Sequence, residues 1–291
     1  MIIFSQRPTD HSRLGNSLVW MSKVQNFLDS SNQSCCFPWG IENFGNYLEE
    51  TSYWMQKNNA DDIYRALTNR QLSAKDISHI SRLVEHDYEI ENNLQPYSWD
   101  NIITFSEKFN FLYISGRVDI NDYEVMKLIN DNELTIFHEP YNLTYLPQFS
   151  EVCYSNIAPK IDLLNTQAQF INSLSFGKRK IGLHIRRGDY IEWQGGKYFY
   201  DDEFWIAMVK KNVDRDCAVF IFTNEINNEF HSKIKQLGAF VSCEDYYIDF
   251  VRMMLMNEIY GPPSTFSVYA VNIAKNCFGY DANFNWLPAK F

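Results

Sequence analysis

The chain has 291 residues and a formal net charge of -10, with a sequence pI near 5.1. That balance excludes general binding to nucleic-acid backbones, whose affinity scales with the cations a protein presents. Apolar residues at 45% and charged residues at 21%, with no apolar run long enough to span a bilayer, describe a soluble protein able to build two modest cores.

The N-terminus, Met1-Ile-Ile-Phe-Ser-Gln-Arg7, reads as a first strand over 1–5. Its apolar part is too short for a signal peptide, so a cytoplasmic location is expected. A polar loop leads to Gly15-Asn16, followed by a helix over 17–28. Further helices are expected around 44–56, 61–68, 73–86 and 121–130, with strands near 34–37 and 134–138. A boundary is expected within 150–178, giving domains 1–155 and 156–291, with the last helix a candidate to cross back to the first.

The C-terminal half alternates more regularly. Strands are expected at 180–185, 218–223, 239–242 and 258–260, and helices at 201–212, 227–237 and 246–257. Pro262-Pro263 breaks the chain before a last amphipathic helix over 265–275. Strands alternating with helices imply an α/β class with a parallel, Rossmann-like sheet.

The strand at 180–185 runs into Arg186 and Arg187. Guanidinium stays charged and offers a planar fork of donors, so a pair at the end of a buried strand calls for phosphate or carboxylate. Five of the ten residues from 178 to 187 are Lys or Arg, which localises a positive site on an acidic protein. The alternative is an ion-pair node with Asp189. Arg187-Gly188-Asp189 also spells an integrin-type motif, discounted because it follows directly on a core strand.

In parallel sheets ligands bind beyond the carboxyl ends of the strands. His184 to Asp189 occupies that edge, and Thr223 and Asn224 close the next strand there. Ser264 is placed to cap the final helix, whose first amides could face a phosphate; the plainer reading is an N-cap alone. The six cysteines include no Cys-x-x-Cys pair and no histidine at zinc-ligand spacing, so reduced thiols are expected. Aromatic content is 16%; core packing is favoured over sugar stacking as its explanation.

His184-Ile-Arg-Arg-Gly-Asp-Tyr190 resembles the His-x-Arg-Arg-Gly-Asp-Tyr signature of the alpha-1,2-fucosyltransferases, glycosyltransferase family 11, related to the alpha-1,6- and protein O-fucosyltransferases. Asp249-Phe-Val-Arg-Met-Met-Leu-Met256 and Pro263-Ser-Thr-Phe-Ser267 resemble that family's Asp-x-x-Leu-Met and Ser-Ser-Phe-Ser segments. Ser12-Arg-Leu-Gly-Asn16 is similar to its Gly-Gly-Leu-Gly-Asn. The chain departs from the family at Val268-Tyr269, where two tryptophans are usual, at Thr223-Asn-Glu225, and at Arg13 and Ser17.

The resemblance implies a GT-B-like fold, two Rossmann-like domains facing a cleft, with GDP-fucose held mainly by the C-terminal domain and the acceptor met by the N-terminal one. No metal and no cofactor beyond that donor is implied. Arg186 and Arg187 would hold the diphosphate, Ser264 and Thr265 would bond the phosphates, and His184 and Asp249 would lie at the nucleoside. Thr223, Gly15 and Asn16 complete the expected donor-binding set. Asp189, Glu192 and Glu139 are candidates for the base that deprotonates the acceptor, Asp189 being favoured as a partner that orients the arginines.

The expected function is inverting, metal-independent transfer of fucose from GDP-fucose to a galactose-containing glycan, the alpha-1,2 linkage favoured. Alternatives are a non-catalytic nucleotide-sugar-binding protein and a transferase using another sugar nucleotide. A metal-dependent GT-A enzyme could use Asp214-Arg-Asp216, but that tripeptide precedes a strand and reads as a solvated turn. A nucleotide hydrolase lacks its Gly-x-x-x-x-Gly-Lys loop. The oligomeric state is not legible.

Overall fold

The computed structural model describes residues 157–290 except 226 and 243, together with 2–4, 18, 21, 35–36, 102–106, 111–115, 123–131 and 135–137. The chain divides into two compact units, one drawn from residues up to Asn156 and the other mainly from Ile157–Phe291. No described helix is long and apolar enough to cross a membrane.

The first unit contains a sheet of β1 (Ile2–Phe4), β2 (Cys35–Cys36), β3 (Ile102–Ser106), β4 (Phe111–Ser115) and β5 (Thr135–Phe137), in the order β2-β1-β5-β4-β3. All neighbours are parallel except β3 and β4, which pair antiparallel from Ile102↔Ser115 to Ser106↔Phe111. Helix α1 (Tyr123–Asp131) joins β4 to β5. The strands near 1–5, 34–37 and 134–138 and the helix near 121–130 stand where the periodicity placed them. The β3–β4 hairpin was not expected, although Ile-Ile-Thr-Phe-Ser and Phe-Leu-Tyr-Ile-Ser have the β-branched and aromatic content of strands. Of the helix expected over 17–28, Leu18 and Met21 are described, both helical and fully buried. The helices expected at 44–56, 61–68 and 73–86 lie outside the described residues.

The second unit is a parallel sheet of β6 (Lys180–Ile185), β7 (Ala218–Thr223), β8 (Phe240–Ser242), β9 (Glu258–Gly261) and β10 (Asn283–Trp286). Its helices are α2 (Ile161–Ser175), α3 (Asp202–Val213), α4 (Asn228–Gln236), α5 (Tyr246–Met254) and α6 (Thr265–Phe278). Two elements correct the sequence reading. Helix α2 occupies part of the 150–178 stretch in which no element was expected, burying Leu164, Gln167, Ile171 and Ser175 along one stripe. Strand β10, Asn-Phe-Asn-Trp, adds an edge that its two asparagines concealed.

Asp201, Asn227 and Asp245 cap α3, α4 and α5 by accepting from the backbone N–H of Phe204, Phe230 and Tyr247. β6 and β7 are buried along nearly their whole length, as strands covered on both faces must be. On one face Ile181, Leu183, Ile185, Val219 and Ile221 pack with Trp205 and Val209 of α3 and Phe230 and Ile234 of α4.

The strand order β10-β9-β6-β7-β8 marks a candidate ligand-binding edge. From β6 the chain builds outward through β7 and β8, then returns to lay β9 and β10 on the opposite side. The order therefore reverses between β6 and β9, and in such sheets a ligand crevice opens beyond the carboxyl ends of the two strands that flank the reversal. β6 ends at Ile185-Arg186-Arg187, and β9 ends at Gly261, just before α6.

Candidate functional site

The basic run from 178 to 187 is two clusters at opposite edges of the sheet, separated by β6. At the amino edge Lys178 pairs with Asp216 at 2.5 Å, and Arg179 places Nε and a terminal nitrogen on Glu258 at 3.0 and 2.7 Å. Lys180 donates to Asn172 at 3.1 Å. The single positive site read from five basic residues is therefore corrected: two of the three amino-edge cations are neutralised locally, and Arg186 and Arg187 alone stand at the carboxyl edge. Asp216, from the tripeptide considered as a metal motif, lies in the turn before β7 holding Lys178.

At the carboxyl edge the chain leaves β6 through two 3-10 turns, Gly188–Ile191 and Trp193–Gly196. Gly188 has φ +57, a conformation that favours glycine, and a Cβ there would meet Glu225 Oε1 at 2.6 Å, so that exposed side chain would have to shift. The Arg187 backbone N–H donates to Asn224 Oδ1 at 3.1 Å, locking this turn to the one after β7. Thr223 spends its hydroxyl within that second turn, donating to Glu225 O at 3.2 Å and accepting from Glu225 N at 3.4 Å. Thr223 thus helps to shape the loop that carries Asn224 and Glu225.

The adjacent arginines diverge. Arg187 forms an ion pair with Asp202, at the start of α3, and its guanidinium lies 5.0 Å from the centre of the Phe230 ring on α4. Its side chain is 11% exposed, and this is the structural ion pair raised as the plainer alternative, made with Asp202 instead of Asp189. Arg186 takes Asp189, donating to both carboxylate oxygens at 3.0 and 3.2 Å, and lies 4.9 Å over the Tyr190 ring.

The Arg186 Nε is buried without a hydrogen-bond partner. Among the described residues Thr135 Oγ1, Trp205 Nε1 and His231 Nε2 share that condition, but only Arg186 is a permanent cation. An unsatisfied donor costs about 1–3 kcal/mol, more on a charged group, and such a group in a native fold calls for a partner.

The start of α6 faces the same edge. Ser264 occupies the N-cap position with φ -154, yet its side chain makes no capping bond, unlike the caps of α3, α4 and α5. The first turn of this 14-residue helix thus has no cap from Ser264, and it carries the positive end of the helix dipole. Tyr190 donates its hydroxyl to the Pro263 carbonyl, tying the arginine turn to this helix start. His184 is buried, with Nδ1 3.1 Å from the Ser267 hydroxyl and its ring 5.7 Å from Phe266. Gly261 permits that approach, since a Cβ would lie 3.1 Å from both the Cβ and the carbonyl oxygen of His184. Thr265 is exposed in the first turn of α6.

Asp249 sits apart, buried on α5 in a polar network the sequence reading missed. It accepts from the Ser242 hydroxyl at the end of β8, and Ser242 accepts from Arg252 at 2.7 Å. Arg252 donates Nε to Gln167 of α2 at 2.9 Å and lies 4.4 Å over Phe170. Burial pushes the Asp249 carboxyl up to about 6, despite the opposing pull of Ser242 and Arg252. An arginine three residues after the aspartate, on the same helix face, was the available signal.

Of the three base candidates, Asp189 is half-exposed and engaged with Arg186, and Glu192 is exposed. Glu139 lies outside the described residues, as do Gly15 and Asn16.

No family model matches the chain, and no curated protein does. Solved structures match in fold over nearly its whole length. A crystal structure of POFUT1 in its apo form has TM-score 0.55 at 12% identity, covering 98% of this chain and 97% of that one. POFUT1 in complex with GDP has TM-score 0.56 at 10% identity, with the same coverage. A mutant of Arabidopsis thaliana FUT1 in complex with GDP has TM-score 0.50 at 8% identity, covering 94% of this chain and 68% of that one. The α/β, GT-B-like architecture expected from the resemblance is the fold the chain shares with these proteins.

Proposed function

We propose that the protein is an inverting fucosyltransferase that takes GDP-fucose as donor and passes fucose to a hydroxyl of a galactose-containing glycan without a metal. The observation that carries this reading is the buried, unpartnered Nε of Arg186 at the sheet's reversal point, on the same edge as the start of α6, to which Ser264 lends no side-chain cap. A shared fold with proteins crystallised with GDP supports it.

In this reading Arg186 receives the β-phosphate, and Asp189 and Tyr190 hold its guanidinium in place. Ser264, Thr265 and the first amides of α6 take the remaining phosphate oxygens. As the bond to fucose breaks, positive charge develops at the sugar and negative charge on the departing diphosphate. A preorganised guanidinium and helix end favour that state over the ground state. Arg187 serves the same chemistry indirectly, by pinning the loop that carries its neighbour.

His184 and Asp249 belong to the nucleoside side. With its pKa near 6, the Asp249 carboxyl is mostly ionised at pH 7 and suited to accept from the N–H donors of guanine. Glu192 is the favoured base, an exposed carboxylate six residues beyond Arg186. The unit from Ile157 onward binds the donor.

The test is transfer from labelled GDP-fucose to β-galactosides in EDTA. Labelled glycan with an inverted anomeric centre is expected. GDP binding without turnover on any acceptor would instead favour a non-catalytic binding protein, and turnover of UDP-sugars alone would overturn the donor.

A further inference from the structure

Two large apolar side chains stand exposed on the turn that follows the arginines. Ile191 is 56% exposed and Trp193 37%. The sequence put aromatic richness down to core packing, but here a tryptophan leaves the core within a few residues of the phosphate-binding guanidinium.

Its placement is specific. The Trp193 ring lies 4.8 Å from that of Tyr190, over which the Arg186 guanidinium sits at 4.9 Å. The indole is therefore one ring removed from the group assigned to the diphosphate. On the other side Tyr198 lies 5.4 Å away, with the Lys197 ammonium 5.1 Å over it. The turn is held by a backbone that side chains rarely adopt: Gln194 has φ 51 and ψ 38, and Gly195 and Gly196 follow at φ 72 and 74. A left-handed non-glycine residue is unfavourable, and the turn closes tightly two residues on, since a Cβ on Gly196 would meet the Ile191 carbonyl at 2.7 Å.

We infer that Trp193 and Ile191 form the platform for the acceptor, a hexopyranoside whose apolar C–H face rests on the indole edge while its hydroxyls reach the rim. The inference rests on the fucosyl-transfer reading, because an acceptor must lie beside the departing diphosphate. A pyranose presents C–H groups on its faces and hydroxyls around them, and an aromatic surface with polar neighbours matches that pattern. Tyr190 and Tyr198 immobilise the indole beforehand, so little side-chain entropy is lost on binding. Glu192, between the two apolar residues in sequence, is itself exposed.

The experiment uses lactose, N-acetyllactosamine and methyl β-galactoside as probes, with GDP present, on wild type, Trp193→Ala, Trp193→Phe and Ile191→Ser. Sugar binding is read by saturation-transfer NMR, acceptor KM by transfer, and GDP affinity by calorimetry. Trp193→Ala should weaken sugar binding and raise acceptor KM at least tenfold while GDP affinity stays within twofold. Trp193→Phe should recover most of that loss. Ile191→Ser, at an exposed position compatible with folding, should weaken the sugar severalfold.

Unchanged sugar binding in both Trp193→Ala and Ile191→Ser overturns the platform, as does a wild type that binds GDP but none of the three sugars. A fall in GDP affinity parallel to that in sugar affinity also overturns it, since Trp193 would then only brace Tyr190. If the wild type binds no GDP, the fucosyl-transfer reading fails first and takes the platform with it.

Discussion

Arg186→Ala and Arg187→Ala should separate ligand binding from stability, although the residues are adjacent. Arg186, 10% exposed, donates to Asp189, whose side chain is 46% exposed and whose carboxylate stays largely in water. Such a pair contributes roughly 0–1 kcal/mol. The stack on Tyr190 adds about 1 kcal/mol. Against these, removing the buried unpartnered Nε relieves a cost of about 1–3 kcal/mol. The stability of Arg186→Ala should thus stay within about 1 kcal/mol of wild type. Its affinity for GDP should fall roughly 100-fold, since losing one or two charge-assisted hydrogen bonds to phosphate costs about 3 kcal/mol.

Arg187→Ala should do the reverse. The Arg187 side chain is 11% exposed and Asp202 37%, between the surface and buried limits for an ion pair. Losing that pair together with the stack on Phe230 should cost about 2 kcal/mol, or roughly 5 °C in Tm. GDP affinity should weaken less than tenfold. Thermal unfolding and calorimetric titration of both variants under one buffer give the four numbers. Equal loss of GDP affinity in both variants, with neither destabilised, would refute the division of labour.

Gly188→Ala should destabilise the unit by about 1–2 kcal/mol, because alanine resists φ +57 and its Cβ would displace Glu225; an unchanged urea midpoint would contradict this. Tyr190→Phe removes the hydroxyl donated to Pro263 and should cost about 1 kcal/mol, with GDP affinity reduced severalfold; a fully wild-type titration would show that the tie to α6 is idle. Asp249 holds its proton in the folded protein up to about pH 6, above its ordinary range, so its contribution to stability is present at low pH and is lost as pH rises through 6. The stability difference between wild type and Asp249→Asn should therefore shift against wild type from pH 4 to 6, by about 3 kcal/mol at most. A pH-independent difference would refute that.

Much of the second unit was legible because its signals are local. The continuous apolar runs of β6 and β7 belong to strands covered on both faces, and Asp201, Asn227 and Asp245 announce helix starts by side-chain chemistry alone. Helix α2 is hard to read because two of the four positions on its buried stripe, Gln167 and Ser175, are polar. The hairpin of β3 and β4 fell in a region where five-residue runs give little periodicity.

At the site, the motif located the edge but not the behaviour of its members. That Arg187 turns to Asp202, fifteen residues on, while Arg186 keeps a buried donor unpaired, follows from where α3 and α4 pack. The basic run looked like one site because sequence spacing hides that a strand separates its ends. Likewise Asp249 read as a ligand group, and its tie to Ser242 and Arg252 emerged only when β8 and α5 were laid together.

The most direct measurement is calorimetric titration of the wild-type protein, in EDTA, with GDP, GDP-fucose, GDP-mannose and UDP-sugars in turn. The account predicts selective binding of GDP and GDP-fucose. Binding of UDP-sugars alone, or of nothing until a metal is supplied, would contradict the assignment of this edge to a GDP-sugar.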